Sequence, residues 1–353
     1  MIIGACGYGG TGSSAVKDYL KEFTNVQVLD RAECQYAFKV DGLQDLEYHL
    51  VKQYSRHMSG DYAIERFKAA SQFANTPKVK KIYIDKKKFL KDTNEFLKSI
   101  VQAEYLGFDN ADYENCSLLK SIVILGFKKF IIPIYEKKTG KLYVSWPMRK
   151  MHVSINPTAF YENAQKYMMK ILENGGADFS KTIILDQPFE GNNPTQSFPF
   201  FEDPIAIVVD RDPRDLYMAA SYQWPDGTFM PRRDPKAFVQ YYRMQRKNIH
   251  LEEEKSKVLR LNLEEMIFDY ENATKKIMNF VGFNESQHIY PKKYFNPDRS
   301  IKGSQVYKKI PGHHEEIKYI SEALSEYLFD FDSYESSKNN TELNVGFKWD
   351  DKV

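Results

Sequence analysis

The sequence contains few cysteines, almost no excess charge and no long apolar run. Its three cysteines, Cys6, Cys34 and Cys116, have neither CxxC nor CxH spacing, so we expect no zinc site and no disulfide framework, and we predict a reducing compartment. Lys and Arg total 50 against 48 Asp and Glu, and the net charge of +2 argues against nucleic acid as a partner. Without a run of about 18 apolar residues, no membrane span is expected. The short apolar N-terminus lacks the basic lead of a signal peptide, which predicts a cytoplasmic protein.

A glycine cluster near the N-terminus organises the rest of the chain. Residues 1–16, MIIGACGYGGTGSSAV, combine a short apolar run, the cluster, two serines and the start of a helical pattern. This order predicts a strand, a tight turn and a helix N-terminus, whose N–H groups and dipole bind anions. Two nucleotide-binding patterns fit it. GxGxxG from Gly7 is the dinucleotide fingerprint, with Asp30 about 20 residues further on, and GxxxxGSS is a Walker-type loop with Ser13 in place of lysine.

Strands and helices alternate at both ends of the chain. Later apolar runs predict strands at Val26–Leu29, Thr182–Leu185, Ile205–Val209 and Val258–Leu261. Amphipathic patterns predict helices at residues 17–23, 157–172, 273–281 and 315–328. We therefore expect an α/β fold, a P-loop-like three-layer sandwich with a central parallel sheet flanked by helices.

A long insertion separates the strands at Val26–Leu29 and Thr182–Leu185. Residues 31–180 are predicted to be largely helical and to carry one small β-hairpin, with strands at Ile131–Tyr135 and Leu142–Trp146. A single α/β domain is expected over residues 1–335, with the insertion as its acceptor or lid region. The remaining residues, 336–353, are expected to form a weakly ordered tail.

A turn rich in aspartate and arginine follows the strand at Ile205–Val209. In the sequence DRDPRD at 210–215, Asp212 suits a helix N-cap, Pro213 the first helical position and Asp215 the first turn. Capping does not account for the two arginines. Ligands bind at the carboxyl ends of parallel strands, and an arginine there can hold a phosphate through two parallel hydrogen bonds.

Five stretches, in order along the chain, resemble the sulfotransferases that use 3′-phosphoadenosine 5′-phosphosulfate (PAPS). They are the glycine and serine loop, RDPRD at 211–215, VLRLNLEEM at 258–266, ATKKIMNFVGF at 273–283 and SIKGSQVYK at 300–308. The resemblance covers about residues 1–30 and 182–310. It is to bacterial members of the family that act in surface-polysaccharide synthesis.

The resemblance implies roles for particular residues. The 5′-phosphosulfate would be held by the first loop, through Gly9, Gly10, Thr11, Gly12, Ser13 and Ser14. The 3′-phosphate would be held by an arginine, a helix serine and a late basic loop, matched here by Arg211, Ser221, Ser300, Lys302 and Gly303. The general base would be Asp186, with Glu190 as second choice, and Ser221 is placed with Asp186 among the catalytic positions.

At three positions the chain departs from the family pattern. Gly10 stands where the family has an arginine or lysine that neutralises the bridging oxygen, so another cation must take that role; the candidates are Lys17, Arg149, Lys150 and Arg232. Ser221 lies two residues beyond the usual serine position, which Ala219 occupies here. Leu263 stands where an aromatic residue often lines the adenine.

The predicted function is transfer of a sulfuryl group from PAPS to a hydroxyl of a carbohydrate or glycolipid acceptor. No metal is expected, because PAPS has no β,γ-phosphates that need a Mg²⁺ clamp. Two alternatives remain open: a protein of the same fold that binds a nucleotide without transfer, and an NAD(P)-dependent oxidoreductase. The stretch Trp224–Arg233 also has two interpretations, an exposed loop or an acceptor lid whose arginines hold an anionic sugar.

Overall fold

The computed structural model describes residues 1–74, 80–114, 116–142, 149–224 and 229–335. Its strands are β1 (Ile2–Gly7), β2 (Val26–Leu29), β3 (Ala103–Gly107), β4 (Arg149–Val153), β5 (Thr182–Asp186), β6 (Pro204–Asp210) and β7 (Val258–Asn262). Five of these strands form a parallel sheet in the order β2-β5-β1-β6-β7. The other two, β3 and β4, form a small antiparallel pair.

Helices cover most of the remaining chain. In chain order they are α1 (Ser13–Leu20), α2 (Leu43–Glu47), α3 (His57–Ala74), α4 (Lys86–Ile100), α5 (Asn110–Glu114), α6 (Leu118–Gly126), α7 (Ile132–Thr139), α8 (Phe160–Asn174), α9 (Pro213–Met218), α10 (Pro235–Arg246), α11 (Leu263–Phe268), α12 (Tyr270–Val281), α13 (Pro297–Ser300), α14 (Val306–Lys309), α15 (His314–Ala323) and α16 (Asp332–Glu335). Turns of π-helix extend α2, α6 and α9, at Tyr48–Lys52, Phe127–Ile131 and Ala219–Gln223. Within the described ranges no helix has the length and apolar character needed to cross a bilayer.

The sheet is buried on both faces. Successive residues of its inner strands point to opposite sides, and each side packs into its own core. Ile2 and Cys6 of β1 pack into one core, which also contains side chains of α2, α3, α4 and α8. Ile3 and Ala5 of the same strand pack into a second core with α1, α11 and α12. Helices therefore flank the sheet on both sides, and the expected three-layer α/β sandwich is confirmed.

The carboxyl ends of the inner strands meet at one edge of the sheet. The register pairs Gly7 of β1 with Val209 of β6, and Asp210 of β6 with Asn262 of β7. Asp186 ends β5 beside Ala5 of β1. The segments that follow these strands therefore begin close together, at the place where ligands bind in open α/β sheets.

Four of the predicted strands are confirmed, three of them with one or two extra residues. The helix expected at 17–23 begins earlier, at Ser13, because the glycine turn leads directly into it. The helices expected near 157–172, 273–281 and 315–328 are α8, α12 and α15. Gly282 ends α12 in the left-handed conformation, with φ 72°.

The prediction of a β-hairpin whose first strand is Ile131–Tyr135 is wrong. These residues belong to a continuous helical segment, in which Pro133 directly follows the π-helical turn Phe127–Ile131. Of the second predicted strand, residues 143–146 lie outside the described residues, as does the predicted tail at 336–353. The insertion does carry a two-stranded sheet, but β3 and β4 form it.

Candidate functional site

The glycine loop between β1 and α1 leaves a row of backbone donors open. Gly9, Gly10 and Gly12 have φ of 81°, 68° and 104°. Among the described residues, no acceptor bonds to the backbone N–H groups from Gly9 to Ser14. The row ends at the N-terminus of α1, whose dipole adds partial positive charge. Consecutive free N–H groups at such a position form a concave anion site.

Thr11 closes this loop onto the neighbouring strand. Its side chain is buried, its Oγ1 accepts a hydrogen bond from the Tyr8 N–H (3.0 Å), and its hydroxyl donates to the Val209 carbonyl (2.7 Å). The hydroxyl hydrogen of Thr11 is thus committed inside the protein. The structure assigns Thr11 to the shape of the loop, while its backbone N–H belongs to the open row.

Gln187 fastens the loop from the other side, a role that we did not expect from the sequence. Its Oε1 accepts the Gly7 N–H (3.1 Å), and its Nε2 donates to the Ser13 hydroxyl (3.0 Å). The residue has φ 48°, so the chain turns sharply after β5. Its place directly after a buried strand at the ligand edge is the one sequence signal that points to it.

Lys17 of α1 and Asp186 form an ion pair beside the loop. Lys17 Nζ lies 2.6 Å from Asp186 Oδ2, and both side chains are mostly withdrawn from solvent. Two other cations considered as substitutes for a first-loop arginine lie elsewhere: Arg149 pairs with Asp61 and Asp112, and Lys150 with Glu104. Lys17 thus lies next to the loop, while the fourth candidate, Arg232, donates to the carbonyls of Ser221 and Trp224.

Bulky side chains cover the loop and explain why it must be glycine there. A Cβ on Gly10 would lie 2.4 Å from the Trp224 ring, and one on Gly12 would lie 2.8 Å from Leu263. Phe229 packs on Gly9 and stacks with Trp224, with ring centroids 6.3 Å apart. Both the positive φ of Gly10 and the Trp224 ring beside it disfavour a lysine or arginine at position 10.

Arg211 and the late basic loop meet, as the resemblance implied. Arg211 is buried, with 7% of its surface exposed, and its Nη2 donates to the Gly303 carbonyl (2.8 Å). Its buried Nε has no hydrogen-bond partner among the described residues. Its guanidinium lies 6.0 Å from the Trp224 ring, the same ring that covers Gly10. Trp224 thus lies close to both the glycine loop and Arg211.

Asp215 holds the late loop in place against α9. Its buried carboxylate accepts the N–H groups of Gln305 (2.6 Å) and Tyr307 (3.3 Å). Arg211 Nη2 lies 4.0 Å from the same carboxylate. Burial raises the pKa of Asp215, while the charge of Arg211 opposes that shift. The loop is therefore docked by a carboxylate whose nearest cation is the arginine that faces the site.

Two more ionisable groups, Glu264 and Lys309, lie near Asp215. Burial raises the pKa of Glu264 to about 8, and the charge of Asp215 acts in the same direction. Burial lowers the pKa of Lys309, whose ammonium donates to the carbonyls of Lys302 (2.9 Å) and Ser304 (2.7 Å). The side chain of Lys302 itself is exposed, while Ser300 ends α13 half-buried and one turn away.

Arg214, the second arginine of the turn, has a structural role. It forms an ion pair with Asp212 (2.6 Å), which also caps α9 and accepts the Phe329 N–H (3.0 Å). Its guanidinium lies 4.4 Å from the Tyr307 ring. The capping interpretation of Asp212 and Pro213 is confirmed, and of the two arginines only Arg211 faces the site.

Ser221 is fully buried in the π-helical turn after α9. Its hydroxyl accepts the Arg233 N–H (3.1 Å), and its carbonyl accepts the side chains of Arg232 (3.5 Å) and Arg233 (3.4 Å). The structure thus places Ser221 against Arg232 and Arg233. The intervening residues 225–228 lie outside the described residues.

A cleft of about 690 Å³ opens beside the glycine loop. Its walls come from the loop, from the start of the insertion, from the segment after β5 and from α10; polar members include Glu33, Gln35, Gln187, Glu190, Asn192, Tyr241 and Gln245. No lysine or arginine is among the described residues that line it. Partial removal from water raises the pKa of Glu190 and, together with the nearby Asp186 charge, that of Glu33. Asp186 is not part of this lining.

Comparisons with known proteins give only remote structural likenesses. No protein-family profile matches the chain, and no curated protein matches it. Among solved structures, a sulfotransferase domain from the Synechococcus PCC 7002 olefin synthase is 12% identical with a TM-score of 0.40, covering 92% of this chain and 94% of that one. A sulfotransferase domain from the curacin biosynthetic pathway is 11% identical with a TM-score of 0.39, covering 93% and 98%. Sulfotransferase STF1 from Mycobacterium tuberculosis H37Rv is 8% identical with a TM-score of 0.36, covering 92% and 76%.

Proposed function

We propose that the protein transfers a sulfuryl group from PAPS to a hydroxyl of a carbohydrate-type acceptor. The observation that carries this proposal is a pair of features suited to anions that have Trp224 as a common neighbour. One is the open row of N–H groups from Gly9 to Ser14, and the other is Arg211 with its unpartnered Nε. A nucleotide with anionic groups on both its 3′ and 5′ positions needs two such features within one nucleoside of each other.

The sheet order favours this nucleotide over a nicotinamide cofactor. In a dinucleotide-binding sheet the second strand lies next to the first, so its terminal acidic residue reaches the ribose. Here β5 lies between β1 and β2, which moves Asp30 one strand further from the glycine loop. Asp30 is exposed and forms an ion pair with Lys21 (3.1 Å). This position supports the bisphosphate nucleotide as the ligand.

The residues around the cleft supply the groups that the reaction requires. Glu190 lines the cleft and would accept the proton of the acceptor hydroxyl as its oxygen bonds to sulfur and the bond from sulfur to the phosphate oxygen breaks. Lys17 would neutralise the charge that develops on the leaving phosphate, the role that Gly10 cannot fill. Asp186, the first choice from the sequence, then holds Lys17, and Glu190 takes the role of base.

The lining of the cleft supports an uncharged acceptor. Its described polar members are carboxylates, amides and two tyrosines, which bond to hydroxyl groups. An anionic sugar would lie next to Glu33 and Glu190 with no lining cation to offset the repulsion. Arg232 and Arg233 direct donors to the carbonyls of Ser221 and Trp224. We therefore favour a neutral sugar or glycolipid headgroup over an anionic one.

Isothermal titration calorimetry with adenosine 3′,5′-bisphosphate and with NAD⁺ tests the donor site. We expect binding of the bisphosphate and none of NAD⁺. Tight binding of NAD⁺ alone would contradict the proposal. Adenosine 5′-monophosphate serves as a matched control, because it lacks only the 3′-phosphate that Arg211 would hold, and we expect it to bind more weakly.

A further inference from the structure

One helical segment of the insertion exposes an unusually apolar surface. The segment runs without interruption from Leu118 to Thr139, through α6, the π-helical turn and α7. Its 22 residues make it about 33 Å long at ~1.5 Å per residue. Its exposed apolar side chains include Leu118, Leu119, Ile122, Val123, Leu125, Phe130, Ile131 and Ile134. We call it the exposed helix.

Several apolar side chains of the exposed helix are largely accessible to solvent. Leu118, Leu119 and Val123 are 76%, 77% and 70% exposed. Ile124 is the one buried residue between Leu118 and Thr139. Apolar residues stand on all sides of the helix, and a helix of that kind is normally covered by protein or lipid. A contiguous apolar surface of this length marks an interaction site.

The charges on the exposed helix are nearly all positive. It carries Lys120, Lys128, Lys129, Lys137 and Lys138, and Glu136 is its single acidic residue. Lysines are depleted from the cores of protein–protein interfaces, where their ammonium groups would lose water. At a bilayer surface the same side chains bury their methylene stems and extend their ammonium groups to anionic headgroups. The mixture of exposed leucine, isoleucine, valine and lysine therefore fits lipid better than a protein partner.

We propose that the exposed helix binds the surface of a membrane that contains anionic phospholipid. Lys128 and Lys129 lie at the middle of the segment, so a spanning orientation would place two ammonium groups at the bilayer centre. A helix that lies in the plane of the interface keeps these groups at the headgroups, while the apolar side chains on the face turned toward the bilayer enter the acyl boundary. This inference is independent of the proposed reaction.

Flotation of the full chain with vesicles tests the proposal. The vesicles are phosphatidylcholine alone or phosphatidylcholine mixed with phosphatidylglycerol. We expect the chain to float with the mixed vesicles and to dissociate at high salt. The triple variant Ile122→Ser, Val123→Ser and Phe130→Ser should lower the partition coefficient about a hundredfold or more, since each change removes a large apolar contact.

A matched control exists elsewhere on the surface. Val40, Phe73 and Ile84 are also exposed and have the same residue types, at 83%, 63% and 58% exposure. Changing these three to serine should leave flotation unaltered. A second variant, Lys128→Gln with Lys129→Gln, should weaken binding to the mixed vesicles about tenfold, since each lysine near an anionic surface contributes binding energy. Circular dichroism establishes that every variant is folded.

Two results would overturn the proposal. One is a wild-type chain that floats with neither kind of vesicle. The other is flotation that the triple variant of the exposed helix retains. Sedimentation velocity identifies the competing occupant: a dimer that the same triple variant dissociates, without vesicle binding by the wild type, would assign the surface to a second copy of the chain.

Discussion

Replacing Arg211 with alanine should weaken the binding of adenosine 3′,5′-bisphosphate by about two orders of magnitude. One terminal nitrogen of the guanidinium is already bonded to the Gly303 carbonyl (2.8 Å), which fixes the orientation of the group. The buried Nε has no partner among the described residues, and we propose that a phosphate oxygen becomes its acceptor when the nucleotide binds. A hydrogen bond between charged groups contributes about 1.5–3 kcal/mol, so the loss of one or two of them from a phosphate costs about 3 kcal/mol, or ~150-fold in Kd.

Alanine at this position should also destabilise the fold, and the two effects have to be separated. Asp215 is fully buried and Arg211 is the cation within 4.0 Å of it. Its removal leaves a buried carboxylate without that partner, which lowers the free energy of unfolding. Arg211→Lys keeps a positive charge near Asp215 but loses the planar pair of donors. We therefore expect the lysine variant to be more stable than the alanine variant and still to bind the bisphosphate weakly.

Calorimetric titration at a temperature where all variants are folded gives the affinities, and chemical denaturation gives the stabilities. Arg233→Ala is the matched control, because Arg233 is a neighbouring arginine that is exposed and donates to a backbone carbonyl. Its affinity should equal that of the wild type. A folded Arg211→Ala variant with unchanged affinity for the bisphosphate would refute the placement of the 3′-phosphate.

Three further changes test other parts of the site. Glu190→Gln should lower kcat about 10²–10⁴-fold. Partial burial raises the pKa of Glu190, so the wild-type rate should increase with pH over an interval higher than the pKa of a free glutamate. This increase should be absent from the pH profile of the variant. Burial raises the pKa of Glu264 from 4.5 to about 8, so the folded state holds a proton that the unfolded state has lost; the free energy of unfolding should fall as pH rises across this interval, and denaturation curves of Glu264→Gln should show a flatter dependence. Gln187→Ala removes two hydrogen bonds from the loop and should raise the calorimetric Kd of the bisphosphate about thirtyfold, at ~1 kcal/mol per bond; an unchanged Kd would mean that the loop keeps its shape without this residue.

The sheet could be predicted from the sequence almost residue by residue. Runs such as Thr182–Leu185 and Ile205–Val209 are buried on both faces, so they are continuously apolar and have polar residues at both ends. The turn at 210–215 was also predictable, because Asp212 and Pro213 are strong helix-start signals. Local patterns of this kind need no knowledge of distant contacts.

The segment at Ile131–Tyr135 shows where local patterns fail. A short apolar run before a polar turn is typical of a strand, and periodicity alone does not separate it from a helix. The run here continues a helix that begins at Leu118, and its apolar side chains are exposed instead of packed. The strand prediction assumes that the apolar side chains of this run are buried, and here most of them are exposed.

The candidate site could be predicted only in part. The glycine loop and Arg211 follow from strand ends that meet at one edge of the sheet. The contact between Arg211 and Gly303 joins residues 92 positions apart, and the resemblance rather than the pattern indicated it. Gln187 and Trp224 depend on side-chain direction and on the docking of distant segments, which no local signal specifies. The base assignment depends on the same geometry and remains a proposal.

Transfer of labelled sulfate from PAPS to a sugar tests the central claim most directly. The chain is incubated with radiolabelled PAPS and with paired acceptors, neutral oligosaccharides and their uronic-acid counterparts. The proposal predicts label on hydroxyl groups of the neutral acceptors, little on the anionic ones, and none with Glu190→Gln. Binding of the bisphosphate without transfer to any acceptor would contradict it and would identify the chain as a nucleotide binder of the same fold.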